Sequence, residues 1–197
     1  MTDTKLAIRC AKNGEFDSVV GSIVLAFAKD PVIRWFFPDP HRFLEAFPAV
    51  VRAVAKPAFE SGTAHRLDSL LAAALWLPPG VDADGSSIRA AFEEHIQAGH
   101  LTEVLDFIRE KNTYHPGDEP LWYLHMIGVD PRFQGSGYGS ALLRYALERV
   151  DDAHLAAYLE STNPANLPLY MRYGFELLAT VEVGSSPPIF PMLRPPR

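Results

Sequence analysis

The stretch Leu121-Trp-Tyr-Leu-His-Met-Ile-Gly-Val129, followed by Asp130-Pro-Arg-Phe-Gln-Gly-Ser-Gly-Tyr-Gly-Ser140 and Ala141-Leu-Leu143, decides how the chain is read. Its first nine residues are almost continuously apolar, which predicts a central strand buried on both faces. The next eleven carry three glycines in five positions, and Ala141, Leu142, Leu143, Tyr145 and Ala146 then take up helical spacing. Glycines between a strand and a helix let backbone N–H groups come close to an anion. The helix N-terminus adds its partial positive charge. Such a turn suits a phosphate or pyrophosphate, although glycine-rich bends also serve simply to turn the chain. A Walker loop needs a lysine where Gly139-Ser140-Ala141 has none. A dinucleotide fold needs an acidic residue about 20 positions further on, and Asp151 and Asp152 are too near.

Working outward, Leu6–Cys10 predicts a first strand and Asn13–Ala28 a helix carrying Val19, Val20, Ile23, Val24 and Phe27 on one side. Asp30-Pro31 predicts the capped start of a short helix reaching Phe37. A longer helix spans His41–Phe59, with a kink or break expected at Pro48. Gly62–Leu67 and Leu70–Leu77 read as strands, Ser87–Ala98 and Leu101–Asn112 as helices split at Gly99. Beyond the quoted stretch come a helix at Ala141–Val150, a strand at Leu155–Leu159 and a short helix at Leu167–Tyr173. Strands at Phe175–Val183 and Ile189–Leu193 complete the pattern. It predicts one α/β domain, residues 1–197, built on a mixed sheet flanked by helices.

Composition narrows the function classes. The 197 residues hold 18 Lys+Arg against 24 Asp+Glu, a formal charge of −6, which lacks the basic footprint of a nucleic-acid binder. The single cysteine, Cys10, excludes an internal disulfide and cysteine-based metal clusters, and is expected to be a buried structural thiol rather than an acyl carrier. No apolar run is long enough to span a membrane, and the first residues do not lead into a signal peptide. The expectation is a cytoplasmic protein with no metal, no nucleic acid and no membrane partner; a homodimer is left open.

The segment from Val129 to Leu143 closely resembles the acetyl-CoA signature of the GNAT (GCN5-related) N-acetyltransferases, an Arg/Gln-x-x-Gly-x-Gly/Ala core after a strand. Here it reads Arg132-Phe-Gln-Gly135-Ser-Gly137. A second block, Asn163-Pro-Ala-Asn166-Leu-Pro-Leu-Tyr170-Met-Arg-Tyr-Gly174-Phe175, resembles the family's Asn…Tyr…Gly-Phe segment. The resemblance is strong over about residues 122–175, the expected acetyl-CoA-binding core. It departs at 78–120, where a helical insertion separates the third and fourth strands.

The resemblance implies a GNAT-like fold and acetyl-CoA as acetyl donor, with transfer directly to a small-molecule or peptide amine. It implies that backbone groups of Ile127 and Val129 hold the pantetheine arm beside a bulge, for which Gly128 is suited, with close helix packing as the other reading of that glycine. Arg132, Gln134, Gly135, Ser136, Gly137, Tyr138, Gly139 and Ser140 are then the pyrophosphate contacts. Asn163 and Asn166 contact the cofactor or cap helices. Tyr170 is the candidate general acid for the departing thiolate, because a phenol near pKa 10 can donate to a thiol near 8.5. Glu160, whose burial is expected to raise its pKa, and His125 are the candidate bases, beside ordered water. Glu119 and His115 are weaker loop candidates. Trp35, Phe36, Phe37 and Arg34 are either core or acceptor-pocket lining. A non-catalytic acyl-CoA-binding regulatory module is the alternative to an enzyme.

Overall fold

Strand β4 (Leu121–Val129) lies at the centre of a seven-stranded mixed sheet in a computed structural model that describes residues 7–117 and 119–197. On one side stand β1 (Ile8–Cys10), β2 (Ala64–Leu67) and β3 (Ala72–Leu77), each antiparallel to its neighbour. On the other, β5 (Ala156–Ser161) runs parallel to β4, and the order closes as β5, β7 (Phe190–Arg194), β6 (Glu176–Leu177). A parallel neighbour requires a crossover, and α6 (Tyr138–Asp152) supplies it.

The helices divide between the two faces. Helices α1 (Phe16–Ala26), α2 (Pro31–Phe36), α3 (Pro40–Glu60), α4 (Gly85–His95) and α5 (Ala98–Asn112) cover one face, over a core including Ile23, Phe37, Phe47, Val54, Phe92 and Phe107. Helix α6 and the short α7 (Leu167–Arg172) cover the other, over Trp76, Leu142, Leu143, Val150, Phe175 and Met192. Capping sets the helix starts. Asp30 Oδ1 accepts from the N–H groups of Val32 and Ile33 at 3.0 Å, and Asp39 Oδ1 does the same for His41 and Arg42 at 2.9 and 3.0 Å. A proline follows each cap, where its missing N–H costs nothing.

Several boundaries differ from expectation. Helix α3 continues unbroken through Pro48 and Pro57, because its buried face, from Phe43 to Ala58, offsets the lost hydrogen bonds. The α4–α5 break falls at Ile96-Gln97, in extended conformation with Ile96 buried, and Gly99 sits inside α5. The predicted Phe175–Val183 strand shrinks to Glu176–Leu177 and one bridge, Val181–Ile189. Leu178 N–H reaches Pro191 O at 2.9 Å, but Pro191 has no N–H to continue the ladder.

Strand β4 is also not buried on both faces. Tyr123, His125, Ile127 and Val129 are half-buried between buried neighbours, because their surroundings open into a cleft. Opposite β3, Leu75 pairs with Met126 but Trp76 pairs with Leu124, so His125 is an extra residue and the bulge is there, not at Gly128. The bulge reverses the alternation. Trp122 and Leu124 pack on the α6 side, whereas Met126 packs on the opposite side. Gly128 serves helix packing instead. A Cβ there would lie 2.6 Å from Ala26 Cβ and 3.3 Å from Ile23 Cδ1, so its bareness lets α1 close on the sheet. No helix among the described residues is long and apolar enough to cross a membrane.

Candidate active site

Pairing between β4 and β5 holds only from Leu121–Ala156 to Leu124–Leu159. Past that point β5 continues against β7 while β4 runs on to Val129, and the two parallel strands part. The gap opens into a cleft of about 890 Å³. Among the described residues, no strand pairs with the gap-facing edge of β4 beyond Leu124, and only a long bond from Gln134 Nε2 to Val129 O at 3.4 Å touches it, so the backbone around Ile127 and Val129 is open to an added strand.

The glycine loop closes one end. Gly135 and Gly137 have φ of +78° and +84°, the left-handed region, and Gly137 is the N-terminal flank of α6. The first bond of that helix runs from Ala141 N–H to Gly137 O at 3.0 Å, so the N–H groups of Tyr138, Gly139 and Ser140 point ahead of it with no partner among the described residues. Gln134, Gly135, Gly137, Tyr138, Gly139 and Ser140 line the cleft. Ser136 and Arg132 are not among the lining residues. Asp130, itself buried, accepts from Arg132 Nη2 at 2.8 Å, Nε at 3.2 Å and its backbone N–H at 2.9 Å. These bonds hold the Asp130 carboxyl below its usual range and fix the turn that leads into the loop.

Helix α7 forms the second wall. Tyr173 Oη donates to Ser140 O at 2.9 Å and ties α7 to the start of α6. Tyr170 lines the cleft, 5% exposed, and its hydroxyl has no hydrogen-bond partner among the described residues. Burial, with the charge of Asp30 adding to it, pushes the phenol well above its ordinary value, so it stays protonated. Asn163 and Asn166 also line the cleft. The Asn163 side chain is engaged as a cap, accepting from Ala165 N–H at 3.0 Å.

The floor carries a buried ionic cluster. Glu160 accepts from Lys111 Nζ at 2.9 and 2.8 Å, from Tyr123 Oη at 2.7 Å and from Tyr158 Oη at 3.1 Å. Burial raises its pKa, but Lys111 and Tyr123 outweigh burial, and the carboxyl is held below the usual range. The expected elevation is therefore reversed. Glu160 is an ionised carboxylate filled with donors, which makes it a poor proton acceptor. His125 is pushed down to about 4 by burial and by Lys111, so its imidazole is neutral; its Nδ1 is buried without a partner. His115 sits over this cluster, its ring 4.9 Å from that of Tyr158.

The insertion and the early helices close the remaining side. Phe36, Phe37, Phe92 and Phe107 line the cleft, so two of the four early residues face it. Trp35 and Arg34 are outside the lining: Trp35 Nε1 donates to Ser185 Oγ at 3.1 Å and Arg34 Nη2 to Pro38 O at 2.6 Å. Cys10 is exposed rather than buried and lies off the cleft, its Sγ 3.3 Å from Gly62 O. Glu119 does not line the cleft either.

Sequence reasoning passed over Asp30, Thr162, Lys111 and Tyr123 as site residues. Asp30 shows in the sequence only as a helix cap, yet its Oδ2 accepts from Thr162 Oγ1 and it lines the cleft. Lys111 and Glu160 are 49 positions apart, and no local pattern links them.

Comparison with known proteins agrees with this architecture. An uncharacterised N-acetyltransferase of Schizosaccharomyces pombe is 22% identical over 190 residues, 86% of this chain and 74% of that one. A mycothiol acetyltransferase of Nocardiopsis dassonvillei is 32% identical over 110 residues, and the match spans 54% of this chain but about a third (32%) of the relative. In fold, the chain is similar to a crystal structure of a histone acetyltransferase HPA2 and related acetyltransferase of Corynebacterium glutamicum. The TM-score is 0.72 at 24% identity, over 98% of this chain and 97% of that one. Residues 65–175, more than half the chain, match the model of the Acetyltransferase (GNAT) family, and to that family the chain belongs.

Proposed function

We propose that this acetyltransferase uses acetyl-CoA and passes the acetyl group directly to a primary amine of a small molecule. The observation that carries the reading is the parting of β4 from β5 directly beside the free N–H groups at the start of α6. Unpaired N–H groups at a helix N-terminus suit a pyrophosphate, and an open strand edge suits an extended arm that carries amides. Bound there, the donor supplies an activated acyl group as a thioester. The backbone N–H groups of Tyr138, Gly139 and Ser140 would hold its phosphates, beside Gln134, Gly135 and Gly137 of the same loop, and the edge at Ile127 and Val129 would align its arm.

Tyr170 then hydrogen-bonds the departing sulfur. Because burial raises its pKa, the phenol is a dependable donor and a reluctant acid, so it stabilises the thiolate chiefly by hydrogen bonding. Lys111, Tyr123, Tyr158 and Glu160 keep the floor rigid rather than moving protons. The aromatic wall of Phe36, Phe37, Phe92 and Phe107 supports an acceptor amine carried on an apolar or aromatic body. Incubation with acetyl-CoA and a panel of primary amines, following thiol release, tests the reading. Amine-dependent release is expected, and binding of CoA without release towards any amine would favour a binding module instead.

A further inference from the structure

Two carboxylates line the cleft among the described residues, Glu160 and Asp30. Glu160 is neutralised by Lys111 and receives four side-chain hydrogen bonds. Asp30 takes part in no ion pair among the described residues. Its Oδ1 is occupied by the N–H groups of Val32 and Ile33, but Oδ2 accepts only the Thr162 hydroxyl and keeps room for a further donor. Its location is informative as well. Thr162 directly follows Ser161, the last residue of β5, so Asp30 is tied to the strand end that has separated from β4. The charge of Asp30 is also felt by Tyr170, the residue that faces the departing sulfur in the proposed function. Phe27, Ile33, Phe36 and Phe37 give this part of the lining an apolar wall, and the cations that also line the cleft nearby, Lys29 and Arg89, form no ion pair with Asp30 among the described residues.

Resting on the N-acetyltransferase reading, we propose that Asp30 receives the ammonium group of the acceptor and takes its proton before transfer. An unpaired carboxylate beside an apolar wall selects a cation that brings its own apolar body. The ammonium gives one proton to Asp30 Oδ2 and becomes a neutral amine. Its lone pair forms the N–C bond as the C–S bond breaks, and the second proton lost by nitrogen ends on the sulfur as thiol. Asp30 returns its proton to water once the amide leaves, so charge and atoms balance over the cycle. Proton transfer from an ammonium to a carboxylate is uphill, and N–C bond formation draws it forward. Burial helps, since it pushes the Asp30 carboxyl above its ordinary value against the pull of Thr162 and the two N–H groups.

Asp30→Asn tests this with the fold kept, because asparagine caps a helix as well as aspartate and can still meet Thr162. Binding of 2-phenylethylamine and of the uncharged 2-phenylethanol to the CoA-loaded protein is compared by calorimetry for both proteins. The native protein is expected to prefer the amine at least tenfold, and the variant to lose that preference while binding CoA unchanged. Its kcat/KM for 2-phenylethylamine should fall by about 10²-fold, as removal of a general base typically causes. A native protein that binds both ligands alike, or neither, overturns the inference, as does a preference that survives in the variant. Because the binding comparison needs no turnover, it is separable from the transferase reading, which fails on its own if the native protein releases no thiol with any amine.

Discussion

At the residue scale the proposed mechanism turns on the hydroxyl of Tyr170. Tyr170→Phe removes that oxygen and leaves the ring against Phe175, with which it packs edge-on at 6.1 Å between centroids. A hydrogen bond to the departing thiolate belongs to the transition state, so its loss should lower kcat by roughly 10²-fold with little change in acetyl-CoA affinity. Steady-state kinetics, with product release shown not to limit the rate, separates the possibilities. A native kcat in the variant would reduce Tyr170 to a packing residue, and a loss confined to cofactor affinity would make it a binding one. The tyrosine can be singled out from sequence because it stands in a motif. Asp30 was legible only as a cap, since its second partner, Thr162, lies 132 positions away and no periodicity connects them.

Elements show a similar division. Strand β4, helix α6 and the loop between them were readable because hydrophobic period and glycine placement are local properties. The bulge at His125 was not, since it is a matter of register against β3, and neither was the survival of α3 through two prolines, which depends on what its face packs against. The loop yields a prediction at its own scale. Gly137 sits at φ +84° with nothing within 4 Å of a Cβ, so Gly137→Asp adds strain and a negative charge ahead of α6 without a steric clash. Acetyl-CoA affinity should drop by well over tenfold while the far-ultraviolet circular dichroism stays native. Unchanged affinity by calorimetry would remove the loop from the cofactor site. The insertion supplies the other element-scale test. Lys111 of α5 is the cation that Glu160 faces on the floor of the cleft, and Lys111→Met strands that charge. Breaking one side of a buried pair costs about 3–5 kcal/mol, less where the remaining carboxyl takes up a proton. Urea unfolding should register that loss, and adding Glu160→Gln should recover part of it. A single variant as stable as the native chain would mean that α5 docks without the pair.

On the scale of the whole molecule, two imidazoles on different elements, each with a buried and unpartnered Nδ1, couple folding to pH. His65 on β2 is 3% exposed, its Nδ1 has no partner, and its ring packs edge-on against Tyr145 of α6 at 5.0 Å. Burial, then the charge of Arg149, pushes it down to about 4, and His125 on β4 is pushed to about the same value. An unfolded histidine titrates near 6.5. Between about 6.5 and 4 the unfolded chain therefore binds protons that the folded chain refuses. The stability these histidines lend is fully present above pH 6.5 and falls away as pH drops towards 4, by up to about 3 kcal/mol for each. Below that, the depressed carboxyls of Glu160 and Asp151 continue the loss in the same direction as they are protonated. Unfolding free energies from urea titrations at pH 7.5 and pH 4.5 measure the effect, and His65→Phe isolates one part of it. The variant keeps an aromatic ring against Tyr145 but has nothing to protonate, so it should lose less stability than the native chain between the two pH values. Equal losses in the two proteins would show that His65 is already protonated, or already solvated, in the folded state.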